Sequence, residues 1–334
     1  MPLVVHPHFH SRRTGVTRHV ETMVDALAAE PGWEACVLGW SVGVDVPRVG
    51  LEELGRRARR EPLVWHAHRN NELQMGVLLR SLGWPLHVVF TRHAAGRPSW
   101  PTRLLAKRAD RLIAISDAVR RDFSATAQVV RHGVDVAKLR PRDPRSVSWG
   151  KLGLAGEAGI GVVGRIRPAK GQQDFLNAVQ PLLEAHPTWR AILVGRLQRQ
   201  HRRWFQSLPT HPRVQHVPEQ HDVVPWYQGL SILVQPSHQE GLGLAALEGM
   251  AAGCCVVASD VSDMAQIIEH GRTGFLYPPG DVAALRGILA TLMQAPAQID
   301  AVGEAAAAQA ARALTLAAEA KALRRIYAEL TDTN

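Results

Sequence analysis

Short apolar runs alternate with amphipathic segments along nearly the whole chain, in two series separated by one proline-containing break. The first series reads as strands at 3–6, 34–40, 63–68, 86–91, 111–116 and 127–133, with helical patterns at 17–29, 71–82, 102–109 and 117–123. The second reads as strands at 159–166, 190–196, 214–218, 230–237 and 254–260, with helices at 171–186 and 244–252. Strands that are near-continuous in Val and Ile, each followed by a helix, are those of a mostly parallel sheet covered on both faces. The segment 137–158 carries two prolines and little periodicity and reads as a linker. The Ala-rich tail 282–330 reads as helix broken near its middle by Pro296. The expected fold class is α/β, with two doubly wound domains facing a cleft. Ligands of such sheets sit at the carboxyl ends of the strands.

Composition narrows the function classes. A hydrophobic share of 46% and a charged share of 21% are those of a globular protein. No apolar run reaches the ~18–20 residues of a membrane span, and the opening "MPLVVHPHFH" has no signal-type apolar region. Cys36, Cys254 and Cys255 make no disulfide framework, so a cytoplasmic protein is expected. The net charge of +9 is uneven: residues 1–150 hold 23 Lys/Arg and 14 Asp/Glu, while residues 151–334 hold 16 of each. A basic first half suits an anionic substrate or an anionic membrane face as well as it suits a solvated Arg-rich surface. Nucleic acid is not the expected partner, because no RNP-like aromatic pattern or zinc-finger spacing is present.

The stretch "SHQEGLGLAALEGMAAGC" (237–254) places Glu240 at the carboxyl end of a strand, ahead of Gly241-Leu242-Gly243-Leu244, and Glu248 inside the following helix. The glycines permit close backbone approach to a ligand, and the helix start directs free amides and the positive dipole end at it. Glu248 suits two vicinal hydroxyls. Taken alone, the pair reads equally as a capping carboxylate and a solvated helix residue. In "VVGRIRPAKG" (162–171), Arg165 and Lys170 leave the second series' first strand, where a guanidinium and an ammonium can hold a diphosphate. The overlapping "GIGVVG" (159–164) fits G-x-G-x-x-G but lies inside the strand run and does not open into a helix, so it is not a dinucleotide fingerprint. In the first series, Gly15 stands at a helix start with Thr14 or Thr17 as cap, and His93 ends a strand. His6, His8 and His10 alternate. Spacing alone leaves zinc open, but no acidic or thiol ligand lies near in sequence and no metal is expected.

Together these features resemble the GT-B retaining glycosyltransferases, specifically glycosyltransferase family four. The residues that carry the resemblance are "GRIRPAKG" (164–171), "LVGR" (193–196), "VQPSHQEGLGLAALEGMAAGCCVVASD" (234–260) and "HGRTGFLYPPGD" (270–281), with Glu240 and Glu248 at the family's two-glutamate spacing. The first half resembles a narrower group, the lipopolysaccharide core mannosyltransferases, through "RRTGVT" (12–17), "VWHAHRNNELQMGVLLR" (64–80), "VVFT" (88–91) and "RHGVD" (131–135).

The resemblance implies a domain at 1–145 that binds the acceptor, a nucleotide-sugar domain at 155–312, and a helix at 313–334 that packs back on the first. It implies a metal-independent hexosyltransferase with no cofactor, whose donor is a nucleoside diphosphate sugar, GDP-mannose favoured. Arg165 and Lys170 would hold the diphosphate with Gly15 closing over it, and Glu248 the ribose. Glu240, Gly241, Leu242, Gly243, Leu244 and His93 would meet the transferred sugar. The acceptor would be an anionic lipid-linked oligosaccharide at the cytoplasmic face of the inner membrane. His132 stands where the family commonly has Asn, and Gln266 where an acid is usual; both bear on donor-sugar choice. The rivals are a UDP-sugar transferase for another glycan, a nucleotide-sugar epimerase, a non-catalytic sugar-nucleotide binder and a nucleic-acid binder.

Overall fold

A computed structural model describes residues 2–11, 14–29, 31–61 and 63–331. The chain divides into two compact units, one running to Gly133 and taking up the chain again from Leu316, the other spanning Val134–Thr315.

The first unit holds strands β1 (Leu3–His8), β2 (Glu34–Gly39), β3 (Leu63–Ala67), β4 (Leu86–Arg92), β5 (Arg111–Ala114) and β6 (Gln128–Val129), in the order β2-β1-β3-β4-β5-β6. Every pairing is parallel. Side chains alternate across the sheet. Leu3 and Val5 of β1 enter a core with Trp65, Leu73 and Phe90, whereas Val4 faces Val20, Met23 and Leu27. The last helix of the chain, Leu316–Thr331, joins that second face through Leu323, Ile326 and Tyr327. The expected strand at 127–133 is only the two-residue edge β6, because His132 and Gly133 bond instead to Glu319 of this last helix.

The second unit holds β7 (Ala158–Val163), β8 (Trp189–Val194), β9 (Val214–Val217), β10 (Leu230–Gln235), β11 (Cys255–Ser259) and β12 (Phe275–Tyr277), ordered β12-β11-β10-β7-β8-β9 and again all parallel. Ile160, Val162, Phe175, Leu193 and Leu289 are central to its core. Read from β9 inward, this is the doubly wound order in which crossovers change side once, between β7 and β10. Gly159 and Gly161 lie within β7: a Cβ on Gly159 would stand 2.1 Å from the Trp149 ring, and one on Gly161 2.6 Å from Ile192. These glycines admit neighbouring side chains and cradle no phosphate.

The segment 137–158 is not a linker. It carries the helices Val136–Leu139, capped by Asp135, and Arg145–Lys151. Trp149 is 2% exposed and covers Gly159, while the Arg145 guanidinium donates to the carbonyls of Leu230 and Gly253. A seven-residue helix that buries itself through one large ring gives no readable period, which needs a window of ~11–18 residues. Pro296 opens the helix Pro296–Ala313, where its missing N–H costs no intrahelical bond. No helix among the described residues is long and apolar enough to cross a membrane.

Trp149→Ala should therefore destabilise the second unit by about 3–5 kcal/mol, read by urea unfolding. A change below about 0.5 kcal/mol would return the segment to a linker role.

Candidate functional site

In the second unit the loops after β7 and β10 diverge at the switch point. After β7 the chain passes Gly164 and Arg165 into a short 3-10 turn, Pro168–Lys170, closed by Gly171 in the left-handed region at φ 67°. A Cβ there would stand 1.7 Å from the Pro236 carbonyl oxygen, so glycine is required where the two loops press together. The His238 amide donates to the Ala169 carbonyl at 3.1 Å and ties them further. The Lys170 ammonium donates to Glu240 Oε1, and Ser237 Oγ donates to the same oxygen at 2.7 Å. Arg165 is exposed. Burial of part of its guanidinium and the neighbouring Arg167 draw its pKa below the usual arginine value, against the pull of Glu240. A cavity of about 20 Å³ is lined by Gly164, Lys170, Ser237, Glu240 and Ala245, among others.

Gly243 follows in the left-handed region at φ 93° and caps the helix Leu244–Ala251. A Cβ on it would meet Gln235 Nε2 at 2.5 Å. Gln235 Oε1 accepts from the Ala246 amide at 2.9 Å, and Ser262 Oγ donates to the Gly241 carbonyl at 2.6 Å, so both ends of the loop are held. The amides of Leu244 and Ala245 have no intrahelical partner. Leu242 is 2% exposed, which leaves its backbone as its means of contact. Glu248 sits in the helix's second turn, where the buried Tyr227 hydroxyl donates to its Oε2 at 2.6 Å. Cations and a helix start at one strand edge can hold an anion such as a diphosphate, and an oriented carboxylate can accept from vicinal hydroxyls.

The structure thus joins Lys170 to Glu240 and ranges Arg165, Gly241–Leu244 and Glu248 along the same pair of loops. Sequence reasoning missed Tyr227, Gln235, Ser237 and Ser262, the groups that hold these residues in place. Their hydroxyl and amide bonds leave no period or motif to read.

In the first unit, Thr14 caps the helix Gly15–Ala28 in a capping box with Thr17, and Arg69 Nη2 donates to Thr14 Oγ1 at 3.0 Å. Nothing lies within 4 Å of where a Gly15 Cβ would stand. Arg12 and Arg13 of the quoted loop lie outside the described residues. His6, His8 and His10 do not converge as a trio. His8 Nδ1 bonds the Trp40 carbonyl at 2.8 Å and its Nε2 bonds Thr17 Oγ1 at 2.9 Å, whereas His6 turns to His68.

The carboxyl ends of β1, β3 and β4 instead meet in a chain of imidazoles. His6 Nδ1 is 2.9 Å from His68 Nε2, His68 Nδ1 is 3.0 Å from His93 Nε2, and His93 Nδ1 is 3.0 Å from His132 Nε2. His132 Nδ1 ends the chain 2.9 Å from Glu319 Oε1. Glu319 is buried, but the His19 and His132 imidazoles hold its pKa down to about 2, so its carboxylate only accepts. His132 therefore donates from Nδ1, and if every ring is neutral each imidazole donates from Nδ1 to the next. Burial, reinforced by neighbouring imidazoles, keeps them neutral: the pKa of His6 falls to about 3, and those of His66, His68 and His93 lie well below the usual value. His66 stands beside the chain, bonded to the Tyr327 hydroxyl and Thr91 Oγ1 at 2.6 Å each. Both ring nitrogens of His93 are committed within the chain, so its ring face and C–H edge are what it offers another molecule.

Residues 157–295 match the family described as Glycosyl transferases group 1. The lipopolysaccharide core biosynthesis mannosyltransferase LpcC of Rhizobium leguminosarum bv. viciae is 33% identical over 99% of this chain and 97% of its own length. LpsB of Rhizobium meliloti, with the same description, is 30% identical over 98% and 97%. Among solved structures, Anabaena Alr3699/HepE in complex with UDP and glucose matches 98% of this chain and 100% of that one, with a TM-score of 0.84 at 19% identity. That last likeness is one of fold, two parallel-sheet Rossmann-like domains of the GT-B class.

An imidazole that stays neutral when folded but is protonated when unfolded makes the unfolded state bind more protons below pH ~6.5. Stability then falls with falling pH by up to about 1.4 kcal/mol per unit for each such group. With His6, His66 and His68 so placed, the Tm of the first unit should drop steeply from pH 7 to pH 5. Glu319 does not offset this, because its contribution is lost only as pH falls from the ordinary carboxylate range toward about 2. Calorimetry across that window checks the point, and a flat Tm would contradict it.

Proposed function

The chain belongs to the group 1 glycosyl transferases and is a glycosyltransferase, and from that premise we propose that it moves mannose from GDP-mannose to a lipopolysaccharide core oligosaccharide with retention of configuration. The observation that carries this reading is the strand-end constellation of the second unit: Lys170 and Arg165 beside the start of the helix Leu244–Ala251, with Glu248 held by Tyr227. The two near-full-length relatives, both described as mannosyltransferases of lipopolysaccharide core biosynthesis, support the choice of sugar and acceptor.

In this reading Arg165 and Lys170 bind the donor diphosphate, and Glu248 accepts from the ribose hydroxyls. Glu240 and the backbone of Gly241–Leu244 contact the hexose. The Lys170–Glu240 contact gives the lysine a partner before donor arrives, and the diphosphate would share that ammonium. The bond from the anomeric carbon to the phosphate oxygen breaks while one to the acceptor oxygen forms on the same face. The acceptor's proton passes to the departing diphosphate, whose growing charge Lys170, Arg165 and the helix amides stabilise. The charges used are side chains of this chain, so the transfer step itself needs no metal.

Two things support a membrane-bound acceptor. The basic excess lies in residues 1–150, and the adjoining helices Asn70–Ser81 and Trp100–Ala106, with the residues just after each, expose Leu78, Leu82 and Trp100 along with Arg103, Lys107 and Arg108. Apolar side chains among cations are suited to an anionic bilayer surface.

Arg165→Ala with Lys170→Ala should lower kcat/KM by about 10²-fold or more, and Glu248→Ala should weaken nucleotide binding. GDP should raise the Tm of the wild type more than UDP or ADP does. A larger shift with UDP would replace the donor, and unchanged turnover in the double variant would remove the diphosphate assignment. The wild type should sediment with anionic vesicles and release at high salt. Leu82→Glu with Trp100→Glu should stay in solution, and equal binding to neutral vesicles would count against the membrane reading.

A further inference from the structure

Glu319 is 5% exposed, and among the described residues no Lys or Arg pairs with it; its partners are two imidazoles and one backbone amide. The groups around it are set out as a ligand shell. His19 Nε2 is 3.0 Å and His132 Nδ1 2.9 Å from Glu319 Oε1, and the three donor atoms lie within 4.8 Å of one another. The other carboxylate oxygen, Oε2, is held by the Gly133 amide at 2.7 Å, which aims Oε1 at the imidazoles. Beside them is a cavity of about 10 Å³, the room of a single small sphere, walled in part by Met23, Ile113 and Leu323.

We propose that His19, His132 and Glu319 form a structural site for a divalent first-row metal, zinc by its donor set, that fastens the last helix of the chain to the first unit. Two imidazoles and a carboxylate are a zinc ligand set, and the cavity beside them offers room for one ion. Ligands around zinc at ~2.0–2.2 Å stand about 3.4 Å apart, so the present contacts need open by only about 0.4 Å. The second charge-bearing requirement, an oriented outer shell, is met as well. His132 Nε2 lies 3.0 Å from His93 Nδ1, so a metal-bound His132 donates its remaining proton there. The sense of the imidazole chain then reverses. The proton lost from His132 Nδ1 to solvent is matched by one gained at His6 Nε2, which is buried and has no hydrogen-bond partner among the described residues. His6, His66 and His68 also converge, but that trio has no anionic donor, so the Glu319 cluster is the better ligand set. All three ligands belong to the first unit.

The protein, free of any affinity tag, should hold close to one equivalent of zinc by plasma mass spectrometry. Chelation should lower its Tm by several degrees and added Zn²⁺ restore it. Cobalt substitution of the wild type should give visible d–d absorption, and nitrogen NMR should find the His132 proton on Nε2 when loaded and on Nδ1 when stripped. Glu319→Gln should lose the metal, while His238→Gln, exposed in the second unit, should keep it. A wild-type protein with no bound zinc, no cobalt spectrum and a Tm indifferent to Zn²⁺ and chelator would overturn the proposal and leave hydrogen bonds alone holding the cluster.

Discussion

A parallel sheet must return each strand by a right-handed crossover, and it can cover both faces only if the crossovers change side somewhere. At that place two loops leave adjacent strands in opposite directions and open a crevice at the strand ends. Both units of this chain obey the constraint, and both put their unusual chemistry there. In the second unit the place is between β7 and β10, and it holds Lys170, Glu240 and the helix start after Gly243. In the first it is between β1 and β3, where His6 meets His66 and His68. One site is solvated and cationic, and the other is buried and imidazole-rich.

Much of this was legible in the sequence because the strands are long, apolar and regularly spaced. Eleven of the strand runs are recovered, and the strand-end positions of Arg165, Lys170, Glu240 and Glu248 follow directly from them. What was not legible shares a cause. The helix Arg145–Lys151 depends on a single ring lying over Gly159, and β12 is three residues long. Neither is long enough for a period to rise above its flanks. Tyr227, which orients Glu248, precedes it by 21 residues in a segment with no motif. The imidazole chain joins residues as far apart as His132 and Glu319, 187 positions in sequence. Spacing suggested only the local trio His6, His8 and His10, and local spacing was the wrong guide. His8 is drawn to the Trp40 carbonyl because a buried imidazole takes whatever acceptor the next strand presents.

The imidazoles also bear on how the first unit comes together. A neutral imidazole has one donor and one acceptor, so imidazoles can be strung head to tail without leaving a polar atom unpaired, except at the ends. Glu319 closes one end, and Tyr327 serves His66. Both come from the last helix of the chain, as do Leu323 and Ile326 on the same core face. Until that helix docks, the His132 ring and the Gly133 amide lack their acceptor, and the core beneath lacks its cover. Burying unpaired polar groups costs on the order of 1–3 kcal/mol each. The first 133 residues are therefore a unit in topology but not in energetics, and they reach their stable form only when the helix Leu316–Thr331 docks on them. The second unit, by contrast, is continuous in sequence. The hold of the helix Leu316–Thr331 on residues 1–133 thus rests on one carboxylate and one hydroxyl together with its apolar face.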